Sequence, residues 1–191
     1  DLKPNSLTFT YVMNAWNKSG DPNAAEQIWD LYERMRADNL SPTIATYSIL
    51  ITSHTITPTK GKWTPMAERA DNLLYEMEVS EDPSLRPGFR LYNCCSRAWI
   101  QVGDMERAGN VLDRCVVAFI RDKNFKAKPT PKLFERVAFG WMVRGDLVRA
   151  TSLLEMLQRH ADARRLPEGP WKSTYEALLF SWEEEAQHPK K

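Results

Sequence analysis

An aromatic residue recurs five times along this 191-residue chain, each time followed six and seven positions later by a small residue and then by Trp or His. The copies are Phe9 with Ala15 and Trp16, Tyr47 with Ser53 and His54, Tyr92 with Ala98 and Trp99, Phe134 with Gly140 and Trp141, and Tyr175 with Ser181 and Trp182. Self-similarity at a period of about 40 residues is the signature of a repeat array, in which a unit buries its apolar face only against its neighbours.

Other columns keep the same beat. Pro4, Pro42, Pro87 and Pro129 each stand five residues before an aromatic, and Pro167 stands eight before Tyr175. Ala25, Ala70, Ala108 and Ala150 recur, and three of them close the pattern Gly-Asp-x-x-x-Ala that begins at Gly20, Gly103 and Gly145. These columns divide the chain into repeats of approximately 4–41, 42–86, 87–128 and 129–166, followed by a terminal helix at 167–187, all within one helical-repeat domain, 1–191. A closing Glu-rich stretch suggests that the terminal helix caps the array.

Spacing inside a repeat predicts two antiparallel helices. Phe9, Val12, Met13 and Trp16 fall at i, i+3, i+4 and i+7, as do Tyr47, Leu50, Ile51 and His54, and Tyr175, Leu178, Leu179 and Trp182. That pattern is one apolar helical face. Ala, Ser or Gly before each large residue allows a neighbouring helix to approach closely. Gly then ends the first helix in the left-handed conformation, and Asp21, Asp104 and Asp146 cap the second. Pro22 suits a first helical position. In the second repeat Thr64 and Pro65 take over capping after a longer loop, 55–63. The expected fold is all-α, a solenoid of about four and a half stacked helix pairs.

Composition narrows the class. The chain is 42% hydrophobic and 27% charged, with formal net charge +1, enough apolar content for a continuous core. The longest apolar run, 115–120, is far shorter than the ~20 residues of a spanning helix. The three histidines, His54, His160 and His188, are scattered, and Cys94, Cys95 and Cys115 form no C-x-x-C pair. Neither metal nor cofactor nor small-molecule substrate is expected, and the chain reads as non-catalytic. A start at Asp1 on a repeat boundary suggests that a leader, or further repeats, precede it.

Where Tyr47-x-x-Leu50-Ile51, the Gly-Asp-x-x-x-Ala pattern, Met35 and the closing Pro42 coincide, the chain resembles the pentatricopeptide repeat family, and 4–35 carries the resemblance best. The units are longer than that family's usual pattern, a habit of algal organellar members. The resemblance implies an organellar solenoid that binds single-stranded RNA, one base per repeat. It assigns base reading to the residue after each first-helix aromatic and the residue after each closing proline: Thr10 with Thr43, Ser48 with Gly88, Asn93 with Thr130, and Glu135 with Glu168. None of these pairs carries the Asn or Asp that family readers commonly place second. The slot two before the aromatic, often valine, holds Leu7, Ala45, Arg90, Lys132 or Ser173. The code is degenerate.

Charge bears on the same question. Lys18 and Arg97 are placed to meet phosphates on the inner face, where Glu135 and Glu176 would repel them. The strongest basic run, Arg121, Lys123, Lys126, Lys128 and Lys132 around Phe125, reads either as a solvated loop or as a contact for RNA phosphate or an acidic protein. Trp16, Trp99, Trp141 and Trp182 share the apolar stripe and belong in the core. Trp63 and Trp171 fall in loops and read either as partner contacts or as rings folded back over the core.

Two functions follow from different classes. One is binding of single-stranded organellar RNA, in a mitochondrion or chloroplast. The other is a scaffold that binds protein subunits within a large organellar complex, such as a mitochondrial ribosome or a respiratory or photosynthetic assembly.

Overall fold

The computed structural model describes residues 3–56, 63–163, 165–166 and 169–187. Among them the backbone forms nine α-helices and no strand: α1 (Ser6–Ser19), α2 (Ala24–Ala37), α3 (Ile44–Ile56), α4 (Trp63–Val79), α5 (Phe89–Val102), α6 (Met105–Ile120), α7 (Pro131–Val143), α8 (Leu147–Asp162) and α9 (Lys172–Gln187). The expected all-α class is present, with the packed helix pairs α1/α2, α3/α4 and α7/α8. Two compact units divide the chain, Asp1–Val102 and Gly103–Lys191. In the first, α1, α3 and α5 lie side by side, with α2 and α4 packed against them. In the second, α7 packs on α6, α8 and α9.

The apolar columns explain the packing. Met13, Leu50, Ile51, Tyr92, Cys95, Trp99, Phe134, Val137 and Ala138 are buried from the first helices, and Ile28, Met35, Leu74, Met77, Val111, Leu112, Cys115, Leu154 and Leu157 from the second. The recurring Ala25, Ala70, Ala108 and Ala150 are all buried, where a missing side chain lets helices close on one another. Gly140 does the same for Met105, whose Cε would lie 2.4 Å from an added Cβ. All three cysteines are buried and free.

Several expected core positions come out at the surface. Val12 is exposed and Trp16 half-exposed: α1 packs mainly on α2 and α3, and Val12 and Trp16 line an open groove with Ala15 and Ser19. Trp182 and Leu179 are exposed as well, on α9, which packs mainly on α7 and α8. The Trp182 indole N–H reaches Thr151 Oγ1 at 3.3 Å, which holds one edge of the ring. Leu179 and Phe180 stand exposed on α9.

Turn chemistry follows the Gly-Asp pattern twice and departs from it once. Gly20, Gly103 and Gly145 take φ of 73°, 84° and 77°, the left-handed region that ends a helix. Asp104 and Asp146 then accept the backbone N–H of Arg107 and Arg149, both at 3.0 Å, and pair with the same arginines' side chains. Asp21 is not a helix cap. Its carboxylate accepts the N–H of Asn23 at 2.7 Å in a tight turn around Pro22, and the helix starts one residue later with Asn23 as N-cap. Pro22 therefore precedes the helix rather than opening it. Thr64 and Pro65 lie inside the first turn of α4, which begins at Trp63; Trp63 is thus helical, and its side chain lies outside the described residues.

One polar knot ties three helices of the first unit. Glu76 of α4 accepts the hydroxyls of Tyr32 from α2 and Tyr47 from α3, at 3.3 and 3.2 Å on one oxygen. Burial first, and then the Glu76 charge, push both phenols above their usual range and keep them as donors.

Candidate nucleic-acid interface

Where it is described, the residue after the closing proline stands at the head of a helix. Asn5 caps α1 by accepting the Thr8 N–H at 2.9 Å. Thr43 accepts the Thr46 N–H at 3.3 Å at the head of α3, Gly88 precedes α5, and Thr130 is the N-cap of α7. Ser, Thr, Asn and Gly are the residues that caps prefer. A capping bond accounts for Thr43, whereas Thr130 makes no side-chain cap hydrogen bond.

The structure brings Thr10 and Thr43 together through Thr46. Thr10 Oγ1 lies 3.0 Å from Thr46 Oγ1, and Thr43 Oγ1 lies 3.1 Å from the same atom. Thr10 donates its one proton to the Ser6 carbonyl at 2.8 Å, so Thr46 donates to Thr10 and Thr43 donates to Thr46. The three hydroxyls satisfy one another, and Thr10 is left only 8% exposed. Ser48 likewise donates to the Ile44 carbonyl at 2.7 Å. Asn93 is half-buried in α5, and it belongs to a different unit from Thr130. Lys18 and Arg97 are exposed.

Glu135 does not stand free to repel phosphate. It is buried, and one oxygen accepts the Trp171 backbone N–H at 2.8 Å and the Thr174 hydroxyl at 2.9 Å. These groups sit at the N-terminus of α9, where a carboxylate is favoured by the helix dipole. Glu135 is thus the latch of α9 onto α7, and its assigned partner, Glu168, lies outside the described residues with Pro167. Glu176 is exposed and pairs with Lys172 at 3.4 Å.

Above that latch, α7 and α9 enclose an open groove of about 360 Å³. Its walls include the cations Lys132 and Arg136 and the rings of Phe139 and Trp171, which are 59% and 51% exposed. The floor carries Glu135, Ser173 and Thr174. Two open rings beside two cations can stack a planar group while neutralising an attached anion. Trp171 and Lys132 were visible in the sequence, whereas Phe139 and Arg136 were not singled out. The signal for Phe139 was its place off the apolar stripe, one residue before the Gly140 and Trp141 pair.

The basic segment before α7 is an ordered turn. Phe125–Ala127 form a short 3-10 helix, Lys123 takes a positive φ of 54°, and the Asn124 side chain caps the turn by accepting the Lys126 N–H at 3.3 Å. Asn124 N–H donates to the Ala118 carbonyl at 2.9 Å, and the Cys115 thiol donates to the Ala127 carbonyl at 3.1 Å. Arg121, Lys123, Lys126 and Lys128 are exposed around it. Among the described residues no group of three or more His, Cys, Asp or Glu side chains could hold a metal ion, and no helix is long and apolar enough to cross a membrane. His188 lies outside the described residues.

Comparison with known proteins agrees with the repeat reading. Residues 4–55 match the PPR repeat family. No curated protein matches the chain. Among solved structures, the crystal structure of the pentatricopeptide repeat protein PPR10 from maize aligns with 97% of this chain at 17% identity and a TM-score of 0.47, and this chain spans 28% of that one. Residues 4–55 thus carry a repeat of that family, and the same sequence columns recur in the residues that follow.

Proposed function

We propose that the chain is a binding module for single-stranded RNA in a mitochondrion or chloroplast, with a degenerate base code, built as one repeat array over 1–191. The observation that carries this reading is the α7/α9 groove, where Lys132 and Arg136 stand beside the open rings of Phe139 and Trp171. Cations neutralise phosphates and rings stack bases irrespective of sequence. In the first unit the exposed Lys18 and Arg97 add phosphate contacts on helices whose slots Thr10, Thr43, Ser48, Gly88 and Asn93 flank the strand. Thr130 does so in the second. Hydroxyls already committed to caps and packing leave little base-edge chemistry, which supports the degenerate code.

The test is equilibrium binding of the purified chain to a randomised single-stranded RNA pool at two salt concentrations, with sequencing of the retained fraction. Retention that falls with salt, enriches at most a short motif, and weakens in Lys132→Glu and Trp171→Ala is the expected result. No retention at low salt overturns it. A second reading, a scaffold docked on protein subunits of a large organellar complex, is supported by the exposed Leu179, Phe180 and Trp182 on α9.

A further inference from the structure

Residues 121–132 hold five cations, Arg121, Lys123, Lys126, Lys128 and Lys132, against one carboxylate, Asp122, in a chain whose whole formal charge is +1. All five are exposed, and among the described residues none is in an ion pair. At the centre of the run Phe125 is 78% exposed, with Phe119 set against it at 6.4 Å and 79°. Solvated charge runs are ordinarily irregular, yet this one is fixed by a capped 3-10 turn, a buried Asn124, a thiol bond to Ala127 and a lysine held at positive φ. A non-glycine residue in that region is strained, and the strain is sustained here by a turn that presents an apolar ring to water.

We infer that the turn centred on Phe125 is a second nucleic-acid contact, in which one unstacked base lies on the Phe125 ring and the neighbouring phosphates meet Lys123, Lys126 and Arg121. The inference rests on the RNA-binding reading above and adds a site outside the slots that the family resemblance assigns. A single strand fits this surface better than the alternatives. A run of carboxylates on a protein partner would use the cations and leave the ring idle. A lipid surface requires an apolar footprint larger than one ring, whereas one ring matches one base. The turn also runs directly into α7, two residues before Thr130, so a strand held at Phe125 is delivered toward the α7/α9 groove of the same unit.

The experiment measures anisotropy of a fluorescent oligouridine against the full chain over a range of salt, with four variants. Phe125→Ala removes the ring, Lys123→Glu with Lys126→Glu removes two cations, Lys132→Glu alters the groove, and Arg34→Glu is an exposed charge control on α2. Circular dichroism melts establish that the variants stay folded. Phe125→Ala should weaken binding roughly tenfold, within the range that stacking contributes. The double reversal should flatten the salt dependence by about 0.7 per lost phosphate contact, or about 1.4 in all, while Arg34→Glu changes little. Native binding with the Phe125 and double variants indistinguishable from Arg34→Glu overturns this site and leaves the RNA reading standing. Loss of poly-glutamate binding in those variants with RNA binding intact assigns the turn to an acidic protein and also overturns it. Absence of RNA binding by the native chain overturns both.

Discussion

His54 is the one histidine in a column otherwise filled by tryptophan, and its burial makes folding stability depend on pH. The imidazole is buried in α3, with Nδ1 2.9 Å from the Leu50 carbonyl and 3.1 Å from Ser53 Oγ, and its ring meets Trp29 edge-on at 5.5 Å. The carbonyl fixes the tautomer with the proton on Nδ1, because only a donor can face it. Nε2 is buried with no hydrogen-bond partner among the described residues, so protonation there would create a charged donor with nothing to receive it. Burial, the largest cause, lowers the pKa from 6.5 to about 4; the Leu50 carbonyl opposes this, Arg69 reinforces it, and Glu26 opposes it weakly.

Below pH 6.5 the unfolded chain takes up a proton at His54 that the folded chain refuses, so stability falls with pH between 6.5 and about 4 and levels off beneath. At about 1.4 kcal/mol per tenfold change in proton affinity, the full loss is roughly 3 kcal/mol, a large fraction of the ~5–15 kcal/mol that holds a domain together. His54→Phe keeps a ring in the same space and removes the titration. Guanidinium melts of both proteins from pH 7.5 to 4.5, taken as a difference, cancel the carboxylates that titrate in both. The native chain should lose stability relative to His54→Phe by about 2 kcal/mol or more over that span. A difference flat to within about 0.5 kcal/mol, or the His54 ring titrating near 6.5 by NMR, would refute the argument.

Other outcomes follow from the turns and the latch. Gly20→Ala should cost about 1 kcal/mol although an added Cβ meets nothing within 4 Å, because φ is 73°. Gly109→Ala, equally open but inside α6, should instead stabilise by roughly 0.5–1 kcal/mol, and thermal melts of the pair separate conformational strain from contact. Asp104→Ala and Asp146→Ala should each cost about 1 kcal/mol through the lost cap, read by chemical denaturation, and equal costs would match their shared geometry. Glu135→Ala should leave the Trp171 N–H and Thr174 hydroxyl unpaired, costing roughly 1–3 kcal/mol. Hydrogen exchange should then accelerate in α9 first, and unchanged protection there would refute the latch.

The helix pairs were legible in the sequence because the two signals that set them are local. An apolar stripe at i, i+3, i+4 and i+7 fixes which face is buried, and a glycine that must take positive φ fixes where the chain turns. Asp21 departs from the pattern in that its carboxylate accepts the Asn23 N–H two residues on, within the turn around Pro22, and α2 begins only after Asn23, which makes no side-chain cap bond. Val12, Leu179 and Trp182 sit on faces that a periodic pattern marks as core, yet burial requires a neighbouring helix, and periodicity says nothing about whether one arrives. The groove was harder still. It depends on α9 being drawn onto α7 by Glu135, a bond between residues about 36 positions apart that neither helix announces by itself.

The columns also show why a repeat can keep its fold while its reading chemistry drifts. The slot after the closing proline stands at the head of a helix wherever it is described, a place that demands a cap; Asn5 and Thr43 supply one, while Thr130 makes no side-chain cap bond. A base-edge reader must meet the same demand and still have a free donor or acceptor to offer. In the first pair the Thr10, Thr43 and Thr46 hydroxyls are spent on one another and on the Ser6 carbonyl, and at Gly88 there is no side chain to offer. Selection for packing alone would keep such residues. Rings and cations that carry no capping duty, at Phe125, Phe139, Trp171, Lys123 and Lys132, are then the groups still able to hold a strand. Stacking and charge are satisfied equally by every base and every phosphate, so on the proposed RNA-binding reading these groups would bind a strand without sequence preference.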